Sequence, residues 1–402
     1  MKVPLPNDKR YSYETIICPS YFTSVSVGII VTVFPQPQVT ATGKAKVEWL
    51  VSETSDNDNG FRRVYGPSEM VFPRDLGSHD GYQTEWWYYT GNVETALGRP
   101  FGFQLTIFRR ALTPSTATVA KEQSSNWRSN QVYFAHFTIS DVEKQSFYPA
   151  ERFSRGAAGL AGAQGSPYRV WLEDWSATEL APGEVQLVAK TDEVALNLIL
   201  QETLPPILQG DRGYSVKGSE LGNASIYYSI VQQQTQGTIT VGDETFEVTG
   251  MTWKDHEYST SSLSPGTIGW DWFSLQFNQG TSLMLYLLRR EDGSISPNSS
   301  ATFISVDGMV QPLNSQDWQL QVLDTWKSTT SQGEYPCQWQ LSIPKLGLTL
   351  TGRPLIANQE LNLSTVYWEG AVEFQGYQAQ TPVQAKGYVE MTGYAQRLDQ
   401  VL

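Results

Sequence analysis

The chain has 402 residues, enough for two or three domains, with 40% hydrophobic residues, 12% aromatic residues and a formal net charge of −13. An acidic chain without a basic run repels phosphate backbones, which argues against nucleic-acid binding. The cysteines are Cys18 and Cys337, so a disulfide framework and a zinc site of clustered cysteines are excluded. The expected ligand is neutral, apolar or cationic.

The N-terminal segment contains an apolar run, SVSVGIIVTVF at residues 24–34, which has signal-peptide length and is short for a membrane span. Residues 39–41 are small enough for a cleavage site, whereas Asp8 and Glu14 dilute the positive charge expected before the run. Residues 1–50 are therefore interpreted as an export signal or a disordered tail. Export would place the protein in the periplasm or in peripheral contact with a membrane, and otherwise it would be cytoplasmic.

Short β segments begin at the stretch QTEWWYYTGN, residues 83–92, whose Thr-Gly-Asn is interpreted as the turn that ends its aromatic run. The later segments carry β-branched and aromatic residues at period two, and turn sequences separate them. No long segment has clean helical periodicity. The pattern predicts an all-β chain of sandwich or barrel type. The clearest of these segments are residues 101–110, 131–140, 184–190 and 194–202.

An internal repeat relates the two halves of the chain. TEWWYYTGN followed by FGFQLTIFRR resembles GWDWFSLQFNQG followed by SLMLYLLRR, so that Trp87 corresponds to Trp272 and Arg110 to Arg290. Each copy has an acid beside tryptophans, a glycine-containing turn and an apolar strand that ends in two arginines. The repeat predicts two similar β units in tandem. The predicted units are residues 51–222 and residues 223–402.

The segment TWKDHEYS contains the strongest candidates for chemistry, Asp255, His256 and Glu257. Because side chains alternate along a strand, Asp255 and Glu257 would share one face and His256 the other. Two carboxyl groups in an aromatic cavity would have raised pKa values, which suits a general acid near neutral pH. Asp255, Glu257 and His256 are predicted as acid, partner and water-orienting group, and the alternative is a polar turn joining two strands.

His136 lies in an otherwise apolar strand, where Phe134 and Thr138 share its face. Two interpretations are equally open, a cavity histidine and a core histidine bonded to a backbone carbonyl. Four acids also have aromatic neighbours in the sequence, and together they favour an acid-containing aromatic pocket. These acids are Glu85, Asp271, Glu369 and Glu390. The predicted substrate-binding residues are Glu85, Trp86, Trp87, His136, Trp253, Trp270, Asp271, Trp272, Trp368 and Glu369.

Several other chemistries lack their signatures in this sequence. There is no Gly-x-Ser-x-Gly elbow, no phosphate loop and no dinucleotide fingerprint. The three histidines are dispersed along the chain, which argues against a histidine-rich metal site. We therefore expect no metal and no organic cofactor.

The motifs as a set resemble a known family. HDGYQTEWWYYTGNV, VYFAHFTISD, GMTWKDHEYS, GWDWFSLQFNQG and VYWEGAVEF, in this order, are similar to segments of the AttH-like proteins within the hydroxyneurosporene synthase (carotenoid 1,2-hydratase) superfamily. The resemblance covers residues 65–394 and implies two tandem lipocalin-like antiparallel β-barrel domains. Family members are often exported, and related lipocalin-like proteins include terpenoid and polyketide cyclases. Glu85 before the tryptophan pair favours the AttH-like branch over the carotenoid hydratases.

Three functional hypotheses follow from the residues and the resemblance together. The first is a cofactor-independent hydro-lyase or cyclase, which would protonate an alkene of a carotenoid-like isoprenoid and stabilise the cation with aromatic faces, each worth roughly 0.5–2 kcal/mol. The second is a non-catalytic carrier of a lipid or pigment. The third is that the aromatic residues only fill the barrels. The partner expected in the first two cases is an apolar small molecule, and the oligomeric state stays open.

Overall fold

The computed structural model describes residues 60–114, 129–260 and 263–398. The N-terminal segment interpreted as an export signal or tail, residues 1–50, lies outside the described residues. Strands dominate the described part of the chain, in agreement with the all-β prediction, and two short 3-10 helices occur at Arg74–Leu76 and Pro344–Leu346. Among the described residues, no helix has the length and apolar character that crossing a membrane requires.

The first sheet contains thirteen antiparallel strands in the described part of the chain. They are β1 (Thr84–Glu94), β2 (Pro100–Ala111), β3 (Gln131–Asp141), β4 (Ser146–Arg155), β5 (Ala161–Gly165), β6 (Tyr168–Leu172), β7 (Trp175–Ala181), β8 (Glu184–Lys190), β9 (Val194–Glu202), β10 (Ile207–Leu208), β11 (Tyr214–Val216), β12 (Ala224–Val241) and β13 (Glu244–Ser259).

The second sheet contains ten antiparallel strands, again among the described residues. They are β14 (Thr267–Phe277), β15 (Ser282–Arg290), β16 (Ser300–Ile304), β17 (Val310–Asn314), β18 (Gln319–Lys327), β19 (Glu334–Ile343), β20 (Leu348–Pro354), β21 (Glu360–Asn362), β22 (Val366–Gln378) and β23 (Thr381–Met391).

The first sheet curls into a barrel-like form. Its order is β4-β3-β2-β1-β13-β12-β9-β8-β7-β6-β5, with β10 and β11 also paired to β12, and β6 contacts β2, β3 and β4. One core therefore joins residues from distant strands, such as Trp87 and Phe137 with Val170 and Leu198. Burying an apolar side chain of this size stabilises the fold by roughly 1.5–3 kcal/mol relative to its exposure.

The second sheet repeats this arrangement with fewer strands. Its order is β17-β16-β15-β14-β23-β22-β20-β19-β18, with β21 also paired to β22. Its core joins Phe273 and Leu285 with Trp339 and Leu350. In each sheet the tryptophan-rich strand, β1 or β14, lies between the strand that follows it and a later long strand, β13 or β23. This shared topology confirms that the sequence repeat reflects two barrel-like units.

The sheets divide the chain at a later point than the predicted units do. β12 and β13 follow residue 222, yet both hydrogen-bond within the first sheet. The polar, glycine-rich stretch before β12 contains β10 and β11, which pair with β12 of the same sheet. The change of sheet therefore lies between Ser259 and Thr267, and the limits of independently folding units stay a prediction.

Two local predictions need correction. Trp87 belongs to the core of the first barrel, whereas Trp272 lies outside the core of the second, so the better counterpart of Trp272 is Trp86. The predicted turn at Gly91 is part of β1, which continues to Glu94. Gly91 suits this position because a Cβ atom there would lie 2.5 Å from the ring of Phe103, and glycine leaves room for that ring.

Candidate active site

A cavity of about 160 Å³ lies between the two sheets, and both sheets contribute to its wall. Strand β1 shows how the sequence produces this wall, since successive side chains point to opposite faces. Trp86 and Tyr88 line the cavity, whereas Trp87 and Tyr89 belong to the core of the first barrel. The aromatic run is therefore divided between a packed core and a cavity wall.

The wall of this cavity is largely aromatic, but it also carries four carboxyl groups, one lysine and one histidine. A concave site with many apolar groups and a few convergent polar groups is typical of small-molecule binding. The rings that line it are Trp86, Tyr88, Phe108, Tyr227, Trp270, Trp272, Tyr286 and Tyr367.

Asp255 and Glu257 of β13 both face the cavity, as the alternation along the strand predicts. Asp255 accepts hydrogen bonds from Tyr227 Oη at 2.6 Å, Ser229 Oγ at 2.5 Å and Trp253 Nε1 at 2.7 Å. Burial raises the pKa of Asp255 to about 7 in spite of these donors. Asp255 is thus a carboxyl group that can exchange a proton near neutral pH.

Glu257 has a different partner from Asp255, the ammonium group of Lys217. The two charged groups are 3.0 Å apart, and Lys217 Nζ also lies 4.3 Å from the centre of the Tyr286 ring. Burial lowers the pKa of Lys217, but Glu257 and Tyr286 more than compensate and raise it. The ion pair lies on the first-sheet side of the cavity, and the contact of Lys217 with the Tyr286 ring of β15 reaches the second sheet.

Glu369 and Glu390 form a carboxyl pair on the second sheet. They are direct cross-strand partners on β22 and β23, and both line the cavity. Burial, with the neighbouring Glu390 as the next cause, raises the pKa of Glu369 well above its usual range. Burial raises the pKa of Glu390 to about 8, and the charges of Asp255 and Glu257 add to the effect. Both carboxyl groups are therefore shifted toward their neutral, protonated form.

Only one oxygen of Glu369 has a protein partner among the described residues. Oε1 accepts a hydrogen bond of 2.6 Å from Tyr88 Oη, and buried Oε2 has none. A protonated carboxyl group with its second oxygen unpartnered can direct its proton toward a bound molecule. The geometry therefore suits Glu369 and its neighbour Glu390 to general-acid chemistry.

His136 of β3 also lies on the cavity wall and is fully buried. Its Nδ1 is 2.7 Å from Tyr367 Oη, whereas its Nε2 has no partner among the described residues. Burial lowers the pKa of His136 to about 3, so the ring is neutral. The structure thus favours the interpretation of His136 as a cavity residue.

His256 lies on the other face of β13, inside the first barrel. Its Nε2 is 2.8 Å from Glu85 Oε1, and its Nδ1 is 2.8 Å from Tyr228 Oη. Glu85 also accepts from Arg109 Nε at 2.8 Å and from His79 Nδ1 at 2.7 Å. These residues form a closed hydrogen-bonded network, which we call the barrel network.

The charges of the barrel network are balanced. Burial opposes ionisation of Glu85, but Arg109 and the hydrogen bonds from His256 and His79 outweigh it and hold the pKa of Glu85 well below its usual range. Burial lowers the pKa of His256 to about 4. Trp87 stacks on His256 with the ring centres 4.8 Å apart. The strand therefore directs the His256 ring into the barrel, away from the cavity at which its water-orienting role was predicted.

His79, Glu85 and His256 bring three ligand-type atoms within 4.8 Å of one another, and this set could hold a metal. Ligands at 2.0–2.1 Å in a tetrahedral site would lie about 3.3 Å apart. Here Glu85 Oε1 is 2.7 Å and 2.8 Å from the two imidazole nitrogens, and Arg109 already neutralises the carboxylate. The distances fit hydrogen bonds better than a coordination sphere.

The other predicted binding residues divide in the same way. Trp270 and Trp272 line the cavity, and Trp253 supports it through its bond to Asp255. Asp271 instead pairs with Arg289 Nε at 3.0 Å, and Trp368 belongs to the core of the second barrel. Asp271 and Trp368 do not reach the cavity because each lies on the barrel-facing side of its strand.

Sequence reasoning missed several cavity residues. Glu390, in GYVEMTGY, is among the four acids whose aromatic neighbours favour a pocket, but it is not among the predicted substrate-binding residues. Tyr88 shares a face with Trp86 at period two, which was a usable signal. Tyr227, Lys217 and Tyr367 gave no comparable signal, because their approach to the cavity depends on the packing of two distant strands and one loop.

Comparisons with known proteins agree with the fold. The family model described as AttH-like matches residues 63–394. A crystal structure of an AttH-type protein from Nitrosomonas europaea is 31% identical, with a TM-score of 0.72, and the match covers 82% of this chain and 99% of that one. Kievitone hydratase from Nectria haematococca is 15% identical with a TM-score of 0.63, covering 85% and 96% respectively. A comparison with curated protein sequences found no match.

Proposed function

This chain belongs to the AttH-like family, and from that premise we propose that it is a cofactor-independent enzyme of the hydratase or cyclase type. It protonates an alkene of an apolar isoprenoid in the cavity between its two sheets. One observation carries the proposal: carboxyl groups with raised pKa values enter a cavity whose wall is largely aromatic. Protonated carboxyl groups in such surroundings are suited to general-acid chemistry.

The Glu369–Glu390 pair is the proton source in this proposal. One carboxyl group transfers its proton to an alkene carbon, a C–H bond forms, and the π bond becomes a carbocation at the neighbouring carbon. The carboxylate left behind is stabilised by the hydrogen bond from Tyr88 to Glu369. A positioned general acid contributes typically about 10²- to 10⁴-fold to a rate.

The carbocation is stabilised by the rings around it. Trp86, Trp270 and Trp272 all lie on the cavity wall, and a tryptophan face attracts a cation by roughly 0.5–2 kcal/mol.

Asp255 completes the reaction in the hydratase case. Water adds its oxygen to the cation, and the proton that it loses passes to the Asp255 carboxylate. The three donors on Asp255 favour its ionised form, and burial opposes them, so the group can accept and release a proton near neutral pH. In the cyclase case a second alkene of the substrate attacks the cation, and Asp255 takes the proton lost from carbon.

The cavity size limits what it can enclose. About 160 Å³ is close to the size of a cavity that holds a single benzene ring. A carotenoid could place only its terminal isoprenoid group here, whereas a small isoprenoid could enter whole. Kievitone hydratase shares the fold, which makes hydration the first reaction to test, although its 15% identity supports no residue roles.

A carrier is the alternative function. Lipocalin-like carriers hold their ligand inside a barrel. Here both barrel interiors contain packed cores, and the cavity lies outside them.

The test is incubation with acyclic carotenoids and with small isoprenoid alkenes, followed by mass spectrometry. The proposal predicts a product heavier than the substrate by one water, or an isomer of unchanged mass in the cyclase case. Glu369→Gln and Glu390→Gln should each reduce the rate about 100-fold or more while substrate binding is retained.

A matched control is Glu373→Gln, because Glu373 lies on the same strand as Glu369 but is exposed and pairs with Arg353. Its rate should equal that of the wild type. Full activity in both cavity variants would refute the proposed proton source. Binding without any product, in wild type and variants alike, would favour the carrier.

A further inference from the structure

Two buried polar atoms at one end of the cavity have no partner among the described residues. They are His136 Nε2 and Gln104 Oε1, and both residues line the cavity wall. Each side chain is almost fully buried, with exposed fractions of 0% and 1%. An unsatisfied buried polar group is costly, so a pair of them on a cavity wall indicates a ligand that completes their hydrogen bonds.

The hydrogen bonds around them define their roles. Gln104 Nε2 donates to Thr106 Oγ1 at 3.0 Å and to Tyr367 Oη at 3.2 Å, which uses both amide hydrogens. Tyr367 then donates its own hydrogen to His136 Nδ1. His136 therefore carries its proton on Nε2. The cavity end thus presents one free donor, His136 Nε2–H, and one free acceptor, Gln104 Oε1.

The strand register places this end away from Asp255. Asp255 pairs with Tyr88, Tyr88 with Thr106, and Thr106 with His136, in one row across four strands. Three steps of about 4.8 Å separate the backbones of Asp255 and His136 by about 14 Å. Tyr88, which is bonded to Glu369, lies between them. A ligand group at His136 would therefore be held to one side of the acids.

From this arrangement we propose that the substrate carries a hydroxyl group, which accepts a hydrogen bond from His136 Nε2–H and donates one to Gln104 Oε1. The substrate is then an unsaturated isoprenoid with an oxygen at one end and its reacting alkene near Glu369. The position of the reacting alkene rests on the proposed function, whereas the binding of the hydroxyl group does not. The inference predicts that hydroxylated substrates are preferred over carotenoids that are pure hydrocarbons.

The test uses three probes with one monoterpene carbon skeleton: carveol with a hydroxyl group, carvone with a carbonyl group and limonene with no oxygen. Binding to the full chain is measured by calorimetry and by quenching of tryptophan fluorescence. Wild type should bind carveol about tenfold more tightly than limonene, with carvone between them, since a carbonyl satisfies only His136.

Variants of His136 test whether this residue is responsible for the preference for carveol over limonene. His136→Phe should bind carveol and limonene equally, and His136→Gln, which retains an N–H donor, should recover part of the preference for carveol. Thr245→Ala removes an exposed hydroxyl group at a position of β13 outside the cavity wall and should leave the preference unchanged. A preference that survives in His136→Phe would overturn the inference.

The affinities of the wild type and of Glu369→Gln for the three probes also test the inference. Equal affinity of wild type for the three probes, or binding of none, would overturn the inference, and equal affinity would indicate that water completes the hydrogen bonds instead. Glu369→Gln separates this result from the proposed function. A carveol preference retained in that variant without turnover supports the binding site, whereas turnover of limonene without any preference supports only the reaction.

Discussion

The barrel network and the cavity differ in how completely their polar groups are paired. On the barrel side, His256 and Glu85 belong to a network in which Arg109, His79 and Tyr228 all take part. On the cavity side, Asp255 is bonded, but the Glu369 carboxyl group across the cavity leaves one oxygen unpartnered.

Burial alone therefore does not indicate which of these polar groups act on a ligand. The barrel network and the cavity wall are both buried, and both contain carboxyl groups beside tryptophans. Arg109 holds the pKa of Glu85 well below its usual range, whereas burial, reinforced by neighbouring carboxyl groups, raises the pKa values of Glu369 and Glu390. Complete pairing indicates a structural role for the barrel network, and incomplete pairing indicates that the cavity groups act on a ligand.

The largest expected effect comes from breaking the barrel network. Arg109→Ala leaves the buried Glu85 charge without its partner, and removal of one member of a buried pair costs about 3–5 kcal/mol. The free energy of unfolding, measured by urea titration at neutral pH, should fall by that amount.

Arg289→Ala is the matched control in the second barrel. Arg289 pairs with Asp271, but its side chain is partly exposed, so water replaces more of the lost interaction. Its free energy of unfolding should fall by a smaller amount. Equal losses in the two variants would mean that the barrel network is no more than an ordinary ion pair.

The sequence predicted part of this contrast. Period two correctly separated Asp255 and Glu257 from His256, and it divided Trp86 from Trp87. It could not decide which face of β1 or β13 turns toward a barrel core, because both faces carry large apolar residues. It also could not place Glu369 opposite Glu390, since that register depends on how β22 and β23 pair.

The second effect concerns stability at alkaline pH. The pKa of Glu390 is raised in the folded state to about 8, so the folded protein binds its proton more tightly than the unfolded chain. Stability should therefore decline as pH rises from about 4.5 to about 8. Glu390→Gln removes this ionisation and should exceed wild type in its free energy of unfolding by up to about 5 kcal/mol at about pH 9, because each pKa unit between about 4.5 and about 8 is worth about 1.4 kcal/mol.

Urea titrations of both proteins across the pH range check this prediction. The two curves should converge near about pH 4, where the carboxyl group is protonated in both states of the wild type. Glu373→Gln, an exposed glutamate on a neighbouring strand, should follow the wild type throughout. A constant difference between wild type and Glu390→Gln at every pH would contradict the raised pKa.

The smallest effect is the acid response of the barrel network. The pKa of His256 is lowered in the folded state to about 4, so the unfolded chain binds the proton more tightly. This contribution is complete above about pH 6.5 and is lost as pH falls toward about 4, at a cost of about 3 kcal/mol. His256→Gln should be less stable at neutral pH but should lose less stability between about pH 6.5 and 4 than wild type.

The central claim is that carboxyl groups in the cavity are neutral at a pH where Glu85 is ionised. Carbon-13 NMR of protein labelled at the glutamate carboxyl carbon measures both states in one titration. Two carboxyl groups should give the signal of the protonated form at about pH 7. One of these signals should be absent in Glu369→Gln and the other in Glu390→Gln. If every glutamate signal is ionised by about pH 6, near the ordinary range for glutamate, the cavity has no neutral acid and the proposed mechanism is refuted.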